Sequence, residues 1–176
     1  GMEFVHKSVD LKRRKSKRLS VEESAREARY KFFKEAAKKV GANTIVTGHT
    51  LDDQAETVLM RLIKGSSLKG IVGISPVREE GPFKIIRPLL ELEKEEIKKY
   101  LDERGIDYRI DRTNLEPIYF RNVVRKDIIP FLERYNPRLK RALFNVAEHL
   151  REDFEFIEEE KSRAKERIFS FRSAQH

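Results

Sequence analysis

The chain of 176 residues contains no cysteine. That removes disulfides, thiolate metal ligands and cysteine nucleophiles together, and it fits a cytosolic setting. No apolar run approaches the ~20 residues a bilayer span needs. The amino end also lacks the basic-then-apolar pattern of a secretory signal. The expectation is a soluble, cytoplasmic protein with no membrane partner. Acidic charge is the minority: 38 Lys and Arg face 30 Asp and Glu, a net charge of +8. Such a bias makes a polyanion a reasonable partner, nucleic acid first, with plain solubility as the alternative. Hydrophobic residues make up 39% of the chain, enough for one domain or a small domain with an appendage. Gly1 before Met2 reads as a cloning remnant.

Regular patterns fill most of the length. "EFVHKSVDL" alternates as a strand does, and "KRRKSKR" (Lys12 to Arg18) puts six basic residues in seven positions, a solvated tip. Ser20 with Glu23 forms a capping box for a helix running to about Val40 and stopped by Gly41. "NTIVTG" predicts a strand, followed by a second helix to about Lys64. Gly65 ends that helix in the loop "KGSSLKGIVGISP". "FKIIRPLL" is a strand stopped by Pro88, and Glu93 to Arg104 is a third helix closed by Gly105. "GIDYRIDRTN" reads as a short extended piece and a turn. Phe120 to Arg134 is helical with a kink near Ile129, because Pro130 lies inside it. From Pro137 a long helix reaches about Ser170, with Leu139, Leu143, Val146, Leu150, Phe154 and Ile157 at helical spacing. Strands alternating with helices predict an α/β fold on a parallel sheet, followed by a helical tail.

Two helix starts carry the chemistry. On the second helix, His49, Asp53 and Glu56 share a stripe with Asp52 beside it, opposite Leu51, Ala55, Val58, Leu59, Leu62 and Ile63. An amphipathic helix showing water its polar face accounts for that pattern, and early acids suit the helix dipole. The position directly after a predicted parallel strand opens another reading, since open α/β sheets bind ligands in that crevice. Carboxylates there can hold Mg²⁺, and a nearby His can bond phosphate or an adenylate. On the first helix, Tyr30, Phe33, Ala37 and Val40 make the buried stripe, with Arg26 and Arg29 on or beside it. Those arginines either snorkel outward or aim a planar fork at phosphate. Asp111 and Asn114 are turn formers. Arg121 and Arg125, four apart on the next helix, are either surface partners of acids or phosphate contacts.

"GHTLDDQAETVLMRLIKGSSLKGIVGI" resembles the signature of the tRNA(Ile)-lysidine synthase family, within the PP-loop ATP pyrophosphatases. Those enzymes carry "GHxxDDQxET" and then a glycine-rich "RGxGxxGLxGI" loop. "SVEESAREARYKFF", "IIRPLL", "DRTN", "FRNVVR", "YNPRL" and "EHLREDFEFIEEE" resemble further family stations in the same order. The resemblance covers nearly the whole chain. It implies a Rossmann-like sheet of the adenine nucleotide alpha hydrolase type. Residues 1–134 would be the later part of the catalytic domain and residues 135–176 a long linker helix. The implied reaction activates C2 of the wobble cytidine of tRNA(Ile), with its CAU anticodon, using ATP and Mg²⁺. L-lysine then displaces AMP. By resemblance His49 and Asp53 lie at the adenylate, Glu56 near the lysine amine and Arg26 at the nucleotide, while Arg121 completes the basic lining. Asp53, His49 and Arg121 would be catalytic, and Asp52 with Asp53 would hold the Mg²⁺. Arg13, Arg14, Lys15, Arg18 and Arg125 would contact the tRNA.

Two departures stand out. The family's "SGGxDS" phosphate loop does not occur, as though the chain starts near the third strand of the family's fold, and Lys64 and Ser67 replace the usual Arg and Gly of the glycine-rich loop. The expectation is a chain inactive alone that pairs with another copy or swaps elements. A PP-loop tRNA 2-thiocytidine thiolase is the rival enzyme, disfavoured by the missing cysteines. A non-catalytic basic RNA-binding module is the rival from another class.

Overall fold

A computed structural model describes residues 4–9, 21–109 and 120–173. The chain divides into two compact units: Gly1–Thr47 with Pro76–Arg87, and Gly48–Ser75 with Pro88–His176. Among the described residues no helix is long and apolar enough to cross a membrane.

In the first unit, α1 (Val21–Lys39) covers a three-stranded sheet of β1 (Thr44–Val46), β2 (Val77–Glu80) and β3 (Phe83–Ile86), in the order β1-β3-β2. Tyr30 and Ala37 of α1 are buried with Ile45, Phe83 and Ile85 of the strands, and Phe33 packs beside them. The predicted stripe is right except for Val40, which is exposed beyond the helix end. Gly41 then turns the chain at φ +68°, where a side chain would strain the backbone.

The parallel expectation holds for β1 and β3, with Ile45 beside Ile85. The sheet as a whole is mixed, because β2 pairs antiparallel with β3. Glu80 faces Phe83, so the hairpin loop is Gly81–Pro82. A two-residue loop opening on a positive-φ glycine is a hairpin signal, hidden here by the polar strand "VREE". Residues 4–9, the described part of "EFVHKSVDL", form no regular element. Among the described residues ladder pairs join only β1, β2 and β3, so alternation there has no partner to act on.

The second unit is built on α2 (Leu51–Ile63) and holds α3 (Leu68–Ile71), α4 (Lys94–Glu103), α5 (Phe120–Val123), α6 (Ile129–Glu133) and α7 (Leu139–Ser173). The short α3 lies within the expected loop. Leu51 packs with Ile74, Leu90 and Phe144. Ala55 packs with Val124 and Ile129, flanked by Leu59, Leu139 and Leu143. Leu62 and Ile63 are exposed, as are Val146 and Ile157 of α7. The buried face of α7 runs instead through Phe144, Ala147 and Arg151.

The expected kink is a wider turn. Residues Val124–Ile128 form a π-helical segment joining α5 to α6. Pro130 has no N–H to return and its ring crowds the preceding turn. The helix accommodates this one residue earlier, where the Ile129 N–H reaches back five residues to the Val124 carbonyl.

Candidate functional site

Thr50 sits in extended conformation at the N-cap of α2, and Asp53 is the third helical residue. The Asp53 Oδ2 accepts from the Thr50 N–H and the Thr50 hydroxyl, each at 3.0 Å. A Thr-x-x-Asp capping box therefore fixes the start of this helix. That leaves Asp53 Oδ1 facing Arg121 Nη2 at 3.4 Å, Lys94 Nζ at 3.5 Å and Arg125 Nη2 at 3.8 Å. Burial raises the Asp53 pKa. Lys94, the Thr50 N–H and Arg121 outweigh it and hold the carboxyl below its usual range.

One turn on, Glu56 is almost fully buried. Its Oε2 accepts from Arg121 Nε at 2.7 Å, and its two oxygens receive Arg125 Nε at 2.6 Å and Nη2 at 3.0 Å. A buried carboxylate is tolerated when paired and fully hydrogen-bonded, and the i, i+4 spacing of the arginines brings both onto it. Burial works against the Arg125 charge, but its hydrogen bond to Glu56 is the larger effect and raises its pKa.

Asp52 faces a different way. Its Oδ2 accepts the Lys94 N–H at 2.8 Å and its Oδ1 meets Lys140 Nζ at 2.9 Å. Burial raises the Asp52 pKa, and the Lys94 N–H with Lys140 more than offset it, so the net shift is downward. Lys140 shifts upward because Asp52 overcomes its own desolvation. Asp52 thus ties the starts of α4 and α7 to α2.

The structure therefore gathers Asp52, Asp53, Glu56, Arg121 and Arg125. The polar stripe does not simply face water, and the two arginines pair with acids in the interior rather than on the surface. Arg125, expected at the tRNA, points inward onto Glu56. His49 lies partly buried in the turn before α2. Arg26 is exposed on α1 in the first unit, its guanidinium 5.0 Å over the Tyr30 ring. Arg13, Arg14, Lys15 and Arg18 lie outside the described residues, as do Ser20, Asp111 and Asn114. Asp52 and Asp53, expected to hold Mg²⁺, turn their oxygens to Lys94, Lys140, Thr50 and Arg121, and no three His, Asp or Glu gather as ligands among the described residues. Sequence reasoning missed Thr50, Lys94 and Lys140. The Thr-x-x-Asp pattern could have revealed the first; the lysines come from distant segments and leave no local signal.

The family of the PP-loop domain matches residues 1–132, a span that includes the sheet and the "GHTLDDQAET" helix start. The chain belongs to that family. More particularly, it is similar to tRNA(Ile)-lysidine synthases. It is 41% identical to that of Clostridioides difficile strain 630 over 162 residues, 91% of this chain and 34% of the relative. With the Persephonella marina enzyme it shares 38% over 171 residues, 97% of this chain and 37% of the relative. The chain thus spans about a third of the length of these relatives. Among solved structures, the U34-tRNA thiolase NcsA from Methanococcus maripaludis with its [4Fe-4S] cluster matches with a TM-score of 0.58 and 23% identity. That match covers 72% of this chain and 42% of the thiolase, a likeness of fold.

Proposed function

We propose that this chain is the later part of the catalytic domain of a tRNA(Ile)-lysidine synthase, with residues 135–176 as its linker helix. The substrates are ATP, L-lysine and tRNA(Ile) with a CAU anticodon. In the reaction the C2 oxygen of the wobble cytidine attacks the α-phosphorus of ATP and pyrophosphate leaves. The lysine ε-amine gives up the proton of its ammonium form, adds at C2 through the freed lone pair, loses a second proton to solvent, and AMP departs with that oxygen.

The observation that carries the reading is the buried Glu56 clasped by Arg121 and Arg125 beside Asp53, on the helix that bears the shared motif. Guanidiniums in a partly dehydrated site favour the charge of an adenylate phosphate. When an anionic phosphate draws Arg121 or Arg125, Glu56 is left to receive a cationic amine, which an adjacent carboxylate stabilises. His49 and Arg26 are assigned to the nucleotide on the same reading. No step is routed through a metal. The thiolase alternative needs cysteines, and these 176 residues, about a third of the length of the relatives, hold none.

The test is the natural full-length protein with ATP, radiolabelled lysine and tRNA(Ile). AMP release with label in the tRNA is expected. Tight tRNA binding without either product would favour the RNA-binding module and overturn the enzyme.

A further inference from the structure

The glycine-rich segment 64–75 is held by side chains from outside it, and one of them comes from α7. Arg61 of α2 donates to the carbonyls of Gly70 and, at 2.9 Å, Gly73. The fully buried Gln54 amide accepts the Ile74 N–H at 2.6 Å and donates to the Val72 carbonyl at 3.4 Å. Arg151 of α7 donates to the Ile74 carbonyl at 3.0 Å and the Val72 carbonyl at 3.2 Å. Four loop carbonyls are thereby fixed by three side chains.

Arg151 is the unexpected member. It is buried, and Glu148 one turn earlier accepts its Nη1 at 2.6 Å. Its Nε is buried with no hydrogen-bond partner. A guanidinium is a costly group to bury against neutral carbonyls, and a plain packing role is met more cheaply by an apolar residue. The same face of α7 also reaches the candidate site. Residues 140, 144, 147 and 151 fall in line at ~100° per residue. Lys140, at the start of that line, binds Asp52 at 2.9 Å. One helix therefore holds the start of the carboxylate helix at one point and the glycine-rich loop three turns further on.

We propose that Arg151 is a positioning residue, through which α7 sets the conformation of the glycine-rich loop in register with the Asp52–Asp53 helix start. The consequence for catalysis rests on the function proposed above; the latch itself does not. Hydrogen exchange on the chain of residues 1–176 is the direct measurement. In Arg151→Met the amides of residues 70–74 should exchange at least about tenfold faster, while those of residues 55–60 stay as they were. Arg151→Lys, which lacks the planar fork, should fall between the two. Glu148→Gln loosens the anchor without removing Arg151 and should raise loop exchange in the same region. Unchanged loop exchange in all three overturns the proposal, and so does an equal rise throughout α2, which marks general destabilisation. In the natural full-length enzyme, a loop held less often in its competent form raises KM by the inverse of its population. Arg151→Met should therefore raise KM for a substrate about fivefold or more and leave kcat within about twofold. A wild-type enzyme without lysidine activity would sink the proposed function, while the exchange data would still decide the latch.

Discussion

Arg125 grips Glu56 with two bonds, Nε to Oε1 at 2.6 Å and Nη2 to Oε2 at 3.0 Å. Arg121 Nε donates to the same Oε2 at 2.7 Å. Removing the acid takes the shortest bonds from two guanidiniums that are both about seven-tenths buried and leaves Asp53, at 3.4 and 3.8 Å, as a more distant carboxylate for them. Glu56→Ala should therefore cost about 2 kcal/mol in urea unfolding, and Glu56→Gln, which keeps an acceptor, should cost less. A Glu56→Ala chain as stable as the wild type would show that the clasp contributes nothing to folding.

Asp53 has two duties, and a single substitution can separate them. Its Oδ2 belongs to the capping box and its Oδ1 to the cationic cluster. Asn at this position keeps an acceptor for Thr50 but removes the charge. In the full-length enzyme Asp53→Asn should lower AMP-forming turnover about 10²-fold. Its stability should change by less than about 1 kcal/mol. Asp53→Ala also loses the cap and should be less stable than Asp53→Asn. Full turnover in the Asn variant would return Asp53 to a purely capping role.

Gly73 is required twice over. Its φ is +71°, and a Cβ there would lie 2.5 Å from the Gln54 amide oxygen. Gly73→Ala should destabilise the chain by about 2 kcal/mol, from backbone strain plus the lost Gln54 contact. The double variant Gly73→Ala/Gln54→Ala removes the clash but not the strain, so thermal unfolding should reveal costs that fall short of the sum. Strict additivity would mean the two residues do not meet.

The Asp52–Lys140 pair predicts how stability depends on pH. The folded-state pKa of Asp52 is lowered, so its contribution is complete above the unfolded value of about 3.9 and disappears as pH falls through the folded one. Lys140 is raised; its contribution is present below about 10.4 and fades as pH climbs through its folded value. Asp52→Asn should flatten both limbs in thermal melts scanned across pH. An acid limb as steep as the wild type's would place the linkage elsewhere.

The run "KRRKSKR" lies outside the described residues, and its test is a binding one. Replacing Arg13, Arg14, Lys15 and Arg18 by Ser should weaken tRNA binding by the full-length protein. It should also shrink the salt slope by about three counterions, while lysine binding holds. An unaltered slope would leave the run as a solvated tip.

Local chemistry was legible from the residues themselves. The spacing of Tyr30, Phe33 and Ala37 placed the inner face of α1, and Gly41, Gly65 and Gly105 ended helices where positive φ was needed. The motif around His49, Asp53 and Glu56 marked the family because those residues are neighbours in sequence. Glu56 could not be read so well: its helical phase puts it on a polar stripe, and only the arrival of Arg121 and Arg125, more than sixty residues later, lets that carboxylate lie buried. The antiparallel β2 was obscured for a related reason, since a strand with charged residues is recognised by its ladder partner rather than by its own pattern. Periodicity reports which way a side chain points from its own helix or strand. Whether water, a cation or another backbone stands there is decided by segments far away in the chain, as it is where Lys140 meets Asp52 and Arg151 meets the carbonyls of Val72 and Ile74.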